Sequence, residues 1–459
     1  MKTKRVYLYE EVFEYLKNLI EKDVLNEDEK MPSKRRLAEN FNVSPLTVEK
    51  AYAQLIDEGY VYSVEKKGYF VSKKVVMFKP SYAMKKQDLA HEEKKRYVYD
   101  FSTGKVDTNF FPQKTWAKLA REVLSEHQTQ MLNDIDPMGL FELRKEIAKH
   151  IEIYRGIDID PRQIFVGSSS TQLLNLLIEI LGRKKTYGIE DPTYPSIYHL
   201  FKSLDIKTHL IEVDEMGLNV EKLYQSNIDI IHVVPSHQYP TGVMMTIQRR
   251  KELLNWAYQS KDRYIIEDDY DSEFKYQGKP AEAIRGIDQL DRVIYMNTFT
   301  KSLAPSFRVA YLILPKHFLY RFKDISTYHR CTVPNFEQYI LYKFMHYGHF
   351  SRHLHKMMKV YRQKLELLLD LTKAYPNITI ENYESGLHFI IVFKSSIDES
   401  EILTKLKDNN IYIQSISEFR HLPSQKDSCI RLVVGYSGLS LSDLKSGYLK
   451  LLTRLEGYI

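Results

Sequence analysis

Six short apolar runs recur between residues 164 and 314, at 164–166, 186–189, 228–234, 264–267, 293–296 and 310–314. Stretches of helical periodicity lie between them, such as 173–181 and 248–258. A strand that follows a helix does not pair with its predecessor through a tight hairpin; it crosses the sheet face and returns parallel. The alternation therefore predicts an α/β region with a mostly parallel sheet covered by helices. Ligands of such a sheet bind at the carboxyl ends of its strands. Beyond about residue 335, a long amphipathic helix is expected to lead into a smaller α+β piece. Its strands are expected at 378–382, 387–393, 412–415 and 429–434.

Polar residues gather where these strands end. Lys301 follows the run 293–296 in NTFTKSLAPSFR, and Asp268 closes the run 264–267 in IIEDDYDSEF. A lysine and an acid at the ends of two strands meet the needs of a pyridoxal 5′-phosphate site. The lysine forms a Schiff base, and the acid keeps the pyridine nitrogen protonated so that the ring withdraws electrons. Tyr270 is placed to hydrogen-bond the cofactor's phenolic oxygen, and Tyr194 in EDPTYPS to stack on the ring. Ser169, Ser170 and Thr171 open a helix, where backbone N–H groups and hydroxyls suit a phosphate. Thr298 and Thr300 flank Lys301, and Arg308, seven residues on, supplies a bidentate phosphate donor. Arg431 in CIRLVVGY is the candidate for a substrate or effector carboxylate. A lysine at a strand end is usually a surface residue, and Arg431 taken alone also suits a structural ion pair. The coordinated spacing of the set is what points to a cofactor. His346, His349, His353 and His355 lack a carboxylate or Cys to complete a ligand set and read as polar residues on a helix, so no metal is expected.

The first 73 residues follow another logic. Leu8, Val12, Leu16 and Leu19 form an apolar stripe at helical spacing. In MPSKRRLAENFNVSPLTVEKAYAQLIDEGYV, Ser33 caps a short helix containing Arg35 and Arg36, and Asn42 makes the turn. Ser44 then caps a second helix with Pro45 at its first position. Two helices joined by a tight turn form a helix-turn-helix, whose second helix enters the major groove by its N-terminal end. Thr47 and Lys50 then approach bases and phosphates. Two short strands at 61–63 and 69–72 flank Glu65-Lys66-Lys67-Gly68. Gly68 permits the turn, and Lys66 and Lys67 at its tip suit a phosphate contact.

Bulk properties agree with this division. At 459 residues the chain exceeds one ordinary core. Residues 1–72 carry twelve Lys/Arg against thirteen Asp/Glu, so DNA binding here depends on locally clustered cations. Residues 73–97 carry eight against three and read as a flexible basic connector, with a short helix around 87–95. No apolar run reaches the ~18–20 residues that span a bilayer. The N-terminus lacks a signal peptide's apolar segment, and Cys331 and Cys429 form no disulfide framework or metal spacing. A cytoplasmic location is expected.

The run PSKRRLAENFNVS…TVEKAYAQLIDEGY…KKGYFV resembles the winged helix of the GntR superfamily. GKVDTNFFP, DPMGLFELRKEIAKHI, PSHQYPTG, IIEDDYDSEF, TFTKSLAPSFR and GLHF resemble, in order, a fold-type I aminotransferase of class I. Their fusion resembles the MocR family of bacterial transcription regulators. The resemblance implies a winged helix-turn-helix over residues 1–73, a basic linker over 74–97 and an aminotransferase-like domain over 98–459. It places a small C-terminal subdomain at about 335–459. It further implies pyridoxal 5′-phosphate, a double-stranded DNA operator and a head-to-tail homodimer. The effector it implies is an amine, an amino acid or the cofactor itself. An active aminotransferase with an autoregulatory DNA-binding domain is the alternative, and a cofactor-free scaffold a third reading.

Three positions depart from the related patterns. Pro45 stands where the winged-helix family usually carries Arg. Tyr239 stands where aminotransferases have the Asn that donates to the phenolic oxygen, which leaves His237 or Gln238 to substitute. Ser196 stands where members that sense γ-aminobutyrate carry Arg.

Overall fold

The computed structural model describes residues 8–73, 95–276, 278, 281–423 and 429–459. Contacts divide the chain into two compact units, Met1–Glu93 and Lys94–Ile459. The connector expected at 74–97 falls outside the described residues except for its last three, and the short helix expected at 87–95 except for Lys95.

In the first unit, α1 (Leu8–Glu21) buries Val12, Phe13, Leu16 and Ile20. The stripe is thus rotated from the expected one: Leu8 is exposed and Leu19 only partly buried. Ser33 begins α2 (Lys34–Phe41), its hydroxyl accepting from Arg36 N–H at 3.3 Å. Asn42 then takes the left-handed conformation, φ 53, that a tight turn between helices needs. Ser44 begins α3 (Pro45–Asp57) by accepting from Thr47 N–H at 3.1 Å, with Pro45 where its missing N–H costs nothing. β1 (Val61–Val64) and β2 (Gly68–Val71) pair antiparallel around a turn in which Lys66 has φ 60 and Gly68 φ 110. Leu16, Leu37, Val48, Tyr52, Leu55 and Val71 meet in one core beneath the helices and hairpin.

The second unit opens with β3 (Tyr99–Asp100). Its main sheet contains β4 (Ile164–Gly167), β5 (Tyr187–Asp191), β6 (Thr208–Asp214), β7 (Gly217–Leu218), β8 (Ile230–Val233), β9 (Tyr264–Asp268), β10 (Val293–Thr298) and β11 (Ala310–Ile313). Their order is β4-β11-β10-β9-β8-β5-β6-β7. β10, β9, β8, β5 and β6 run parallel, and β11 runs against both β10 and β4. All six apolar runs are strands. β6 escaped the sequence reading because only Ile211 is fully buried along it, so no continuous apolar run marks this near-edge strand.

A smaller sheet, in the order β12-β13-β16-β15, joins β12 (Thr379–Glu381), β13 (His388–Lys394), β15 (Gln414–Ser415) and β16 (Cys429–Gly435). The strand expected at 412–415 divides instead. β14 (Ile411–Tyr412) pairs in parallel with β3, while β15 joins β16. The long helix expected after residue 335 is two helices, Asn335–His346 and His349–Thr372, parted where Gly348 adopts φ 70.

The chain between residues 99 and 107 is pinned at both ends. At one end β3 pairs with β14; at the other, Asp107 accepts from Lys364 Nζ at 2.8 Å, with both side chains almost wholly buried. Lys364 also donates to the carbonyls of Ser437 and Leu439, so the ammonium is satisfied in three directions. Lys364→Met is expected to destabilise the protein by about 3–5 kcal/mol, because it strands the Asp107 carboxylate in the interior. Lys364→Met with Asp107→Leu is expected to recover most of that loss. Urea unfolding of the three proteins measures both effects.

Candidate functional site

The motif IIEDDYDSEF carries five acids, and the backbone sends Glu267, Asp268, Asp269 and Asp271 to different tasks. Successive residues of a strand face opposite sides of the sheet. Glu267 therefore turns to the helical layer and accepts from the N–H groups of Ile284 and Arg285. Asp268, at the end of β9, turns the other way. Asp269 is held by Arg155 at 2.9 Å, Tyr295 at 2.6 Å and Ser272 at 2.8 Å. Asp271 lies 2.9 Å from His237 Nδ1.

Among the described residues, Asp268 Oδ1 is buried with no hydrogen-bond partner, and Oδ2 lies 3.5 Å from His232 Nε2. A buried carboxylate oxygen without a donor costs about 1–3 kcal/mol or more. A protonated pyridine nitrogen is the kind of donor that relieves it. Glu190, also buried, is pushed up to about 8 by burial, reinforced by the nearby Asp268. It therefore carries its proton at neutral pH and adds no second negative charge beside Asp268.

Lys301 lies in the turn after β10, half-buried, and its Nζ donates to the Thr103 carbonyl at 2.5 Å. Burial brings its amine down to about 8, against the opposing pull of Asp271. At pH 7 roughly a tenth is then unprotonated and nucleophilic, far more than for an ordinary lysine near 10.5. Thr103 also reaches Tyr239, their hydroxyls 2.9 Å apart. The Tyr239 ring lies edge-on to Tyr194, with centroids 5.3 Å apart, and packs against Tyr270, His388 and Phe419. Tyr194, about half exposed, precedes the helix Pro195–Ser203. The Tyr270 hydroxyl stands 3.3 Å from His237 Nδ1.

The phosphate candidates divide by availability. Ser169 caps the helix Ser170–Leu181 by accepting from Gln172 N–H at 3.1 Å, which engages one lone pair and leaves the O–H to donate. Ser170 and Thr171 occupy the first turn, where N–H groups have no partner within the helix. Thr298 and Thr300 place their hydroxyls 2.7 Å apart, and Arg308 is exposed on the stretch leading to β11. Arg431 lies on β16, on the same face as Val433, which packs with Tyr239; its Nε is 3.9 Å from Glu381.

The structure also separates the two substitutes for the missing Asn. Gln238 is fully used: its amide donates to Glu190 and Pro192, and its oxygen accepts from Thr241. His237 keeps its approach to Tyr270. The sequence reading overlooked Thr103, Glu190, His232 and His388 as site residues. Thr103 and His388 lay inside or beside GKVDTNFFP and GLHF, so family motifs were their signal. Glu190 opens EDPTYPS, while His232, inside β8, has no motif to mark it.

The four histidines of the helical region act singly: His346 meets Glu146, His349 meets Arg352, His353 meets the Ser302 carbonyl and His355 the Ser351 carbonyl. Another trio, His237, Asp271 and His388, places donor atoms within 4.8 Å of one another. Hydrogen bonds already occupy His237 Nδ1 and His388 Nε2, the latter at 2.9 Å from the Pro240 carbonyl.

In the first unit, Arg35, Arg36, Lys50, Lys66, Lys67 and Gly68 are exposed. Arg35 pairs with Glu39 at 3.4 Å. Ser33 and Ser44 use their hydroxyls as caps, and Thr47 Oγ1 lies 2.8 Å from Ser44 Oγ.

Residues 96–445 match the aminotransferase class I and II family, and residues 8–71 match the bacterial regulatory proteins of the gntR family. The chain is 34% identical over 457 residues to the HTH-type transcriptional regulator YdeL of Bacillus subtilis, covering 98% of this chain and 97% of that one. It is 26% identical over 462 residues to the probable rhizopine catabolism regulatory protein MocR of Rhizobium meliloti, covering 96% and 92%. Among solved structures, the multiple substrate aminotransferase of Thermococcus profundus superposes with a TM-score of 0.70 at 24% identity, over 80% of this chain and 92% of that one. A GntR-type winged helix joined to a fold-type I aminotransferase domain defines a class of DNA-binding transcription regulators. The chain belongs to the MocR family within it, and the cofactor of its large domain is pyridoxal 5′-phosphate. Among the described residues, no helix is long and apolar enough to cross a membrane.

Glu190 offers a test of the site's electrostatics. Its folded pKa lies above its unfolded one. The stability it contributes is fully present below about 4.5 and is lost as pH rises through about 8. Glu190→Gln keeps the hydrogen-bonding shape without the titration. Its thermal stability relative to the wild type is expected to climb between those pH values and to level off above them, as followed by melting temperature.

Proposed function

We propose that the aminotransferase-like unit senses pyridoxal 5′-phosphate or an amino compound and adjusts how strongly the winged helix holds its operator. The observation that carries the reading is the buried, partnerless Asp268 oxygen at the end of β9, on the strand beside the one that leads into Lys301, in a chain that also bears a winged helix. In this reading Lys301 binds the cofactor covalently and Asp268 holds its pyridine nitrogen. Tyr270 donates to the phenolic oxygen and Tyr194 covers the ring. Ser169, Ser170, Thr171, Thr298, Thr300 and Arg308 surround the phosphate. When bound, the cofactor supplies an electrophilic carbon that exchanges amines, which lets the site recognise an amino group chemically. Arg431 would receive an effector carboxylate. Ser196, in place of an arginine, favours the cofactor itself as the signal.

On DNA, Arg35, Arg36, Thr47, Lys50, Lys66, Lys67 and Gly68 would meet the duplex, with Ser33 and Ser44 fixing the helix ends that do so. A homodimer, head-to-tail as the family resemblance implies, would present two such surfaces to paired half-sites. A basic tether over 74–97 and a cytoplasmic location complete the reading. The family does not favour efficient transamination as the main role, and Tyr239 and Ser196 agree with that.

The experiment is duplex selection from a random library, followed by gel shifts with and without pyridoxal 5′-phosphate, for the wild type and Lys301→Ala. The expected result is sequence-preferring binding whose affinity changes about 5–150-fold with the cofactor in the wild type and does not change in Lys301→Ala. Absence of sequence preference under both conditions would falsify the regulator reading. In the same assay, Arg36→Ala is expected to weaken binding to all sequences alike and to reduce the slope of log affinity against log salt by about one. Mixing cofactor-free protein with pyridoxal 5′-phosphate is expected to give a visible band whose rate of appearance rises as pH passes through about 8, and Lys301→Ala is expected to give none.

A further inference from the structure

Tyr270 has one hydroxyl hydrogen, and two acceptors compete for it once the cofactor is bound. One is the cofactor's phenolic oxygen; the other is the neighbouring Asp271 carboxylate, which bears on the same phenol. Asp271 is buried, so it must find a donor. His237 supplies one, with Nδ1 at 2.9 Å from Asp271 Oδ2. The same nitrogen stands 3.3 Å from the Tyr270 oxygen. A single Nδ1–H, shared between carboxylate and phenol oxygen, makes Tyr270 an acceptor on its inner side. The phenol's own hydrogen is then left for the cleft.

The ring is built to stay in this pose. It is buried against Gly386, where φ is +76 and an added Cβ would lie 1.9 Å from His237 Nδ1. On its other side it packs on His388, with centroids 4.3 Å apart, and His388 is fixed by the Pro240 carbonyl. Gln238, the other neighbour of the missing Asn, has no group left to offer.

Resting on the cofactor reading above, we infer that His237 is a positioning residue for pyridoxal 5′-phosphate. By satisfying Asp271 through Nδ1–H, it releases the Tyr270 hydroxyl hydrogen to the cofactor's phenolic oxygen. The pair His237–Tyr270 thus performs the donation that the Asn of aminotransferases makes directly, at the position where this chain has Tyr239. The charged and titratable groups facing the pair are Asp271, Asp268, Lys301, His388 and Tyr239. A donor on the phenolic oxygen stabilises its negative charge and lowers the pH at which the bound cofactor's visible band titrates.

The test is a spectroscopic pH titration of that band in full-length wild type, His237→Phe, His237→Asn and Tyr270→Phe. His237→Phe and Tyr270→Phe are each expected to raise the midpoint by about one pH unit, the worth of one charge-assisted hydrogen bond. Combining them is expected to add little, because both remove the same donation. His237→Asn is expected to restore the wild-type midpoint, since its amide N–H stands where Nδ1–H stood. Tyr270→Phe leaves the buried ring untouched and guards against a His237 variant that fails to fold. An unmoved midpoint in Tyr270→Phe, or an Asn variant that behaves like Phe, overturns the inference while the cofactor reading stands. Tight stoichiometric Zn²⁺ binding lost in His237→Phe also overturns it, by making the trio with Asp271 and His388 a metal centre. No band in the wild type overturns the cofactor reading and the inference together.

Discussion

A buried carboxylate oxygen without a donor sets the terms for the large domain. Asp268 is held at the carboxyl end of β9, in the middle of the main sheet, where neighbouring strands exclude water from both sides. Leaving a carboxylate oxygen unpartnered in that position costs stability unless a donor arrives. The surroundings lower the cost without removing it. Glu190 gives up its own charge, and Arg155, Tyr295 and Ser272 all gather on Oδ2 of the adjacent Asp269 rather than on Asp268. A domain that needed only to fold would pair this oxygen internally. This one keeps it for a ligand, and the shape of the ligand follows from where Lys301 and Tyr194 stand.

Much of this was legible because strand ends are legible. A parallel sheet gathers side chains from different strands at one edge, so finding the apolar runs also located the strand ends that carry Asp268 and Lys301. Capping chemistry was equally direct: Ser33, Asn42, Ser44 and Pro45 have few other reasons to stand in that order, and each does in the structure what its side chain predicts. The reading failed where the decisive fact is long-range. Nothing near Thr103 announces that its carbonyl faces a lysine 198 positions away, nor near Gly386 that its missing Cβ makes room for His237. The offset of the α1 stripe is a smaller failure of the same kind. Leu8 and Ile20 are equally apolar, and only the position of α3 decides which one is buried.

The segment from residue 99 to 107 links these observations. It begins as a strand beside β14, passes Thr103 across Lys301 and Tyr239, and ends at the buried Asp107–Lys364 pair. Gly435 N–H closes on the Phe101 carbonyl, and the Ser437 hydroxyl on that of Lys105. The stretch is therefore fixed by the small sheet and by the helix His349–Thr372, while its centre serves the cofactor site. A displacement at Thr103 has to be absorbed between two anchored ends, so it does not dissipate as a loose loop's motion would.

This bears on how a ligand of modest size can act as a signal. A ligand shifts an equilibrium only by the difference in its affinity for the two states. A free Lys301 ammonium has three hydrogens and gives one to the Thr103 carbonyl. A Lys301 nitrogen committed to the cofactor would keep at most one hydrogen to give to that carbonyl. The Thr103 carbonyl would then need another donor or a new position, and the Tyr239 hydroxyl, which bonds the Thr103 side chain, would feel that change. Losing one charge-assisted hydrogen bond is worth about 1.5–3 kcal/mol, the size of coupling that regulation of a binding equilibrium requires. In the proposed reading, cofactor attachment would carry a structural cost set by the position of residues 99–107, and a cost that differs between two positions of that segment would favour one over the other.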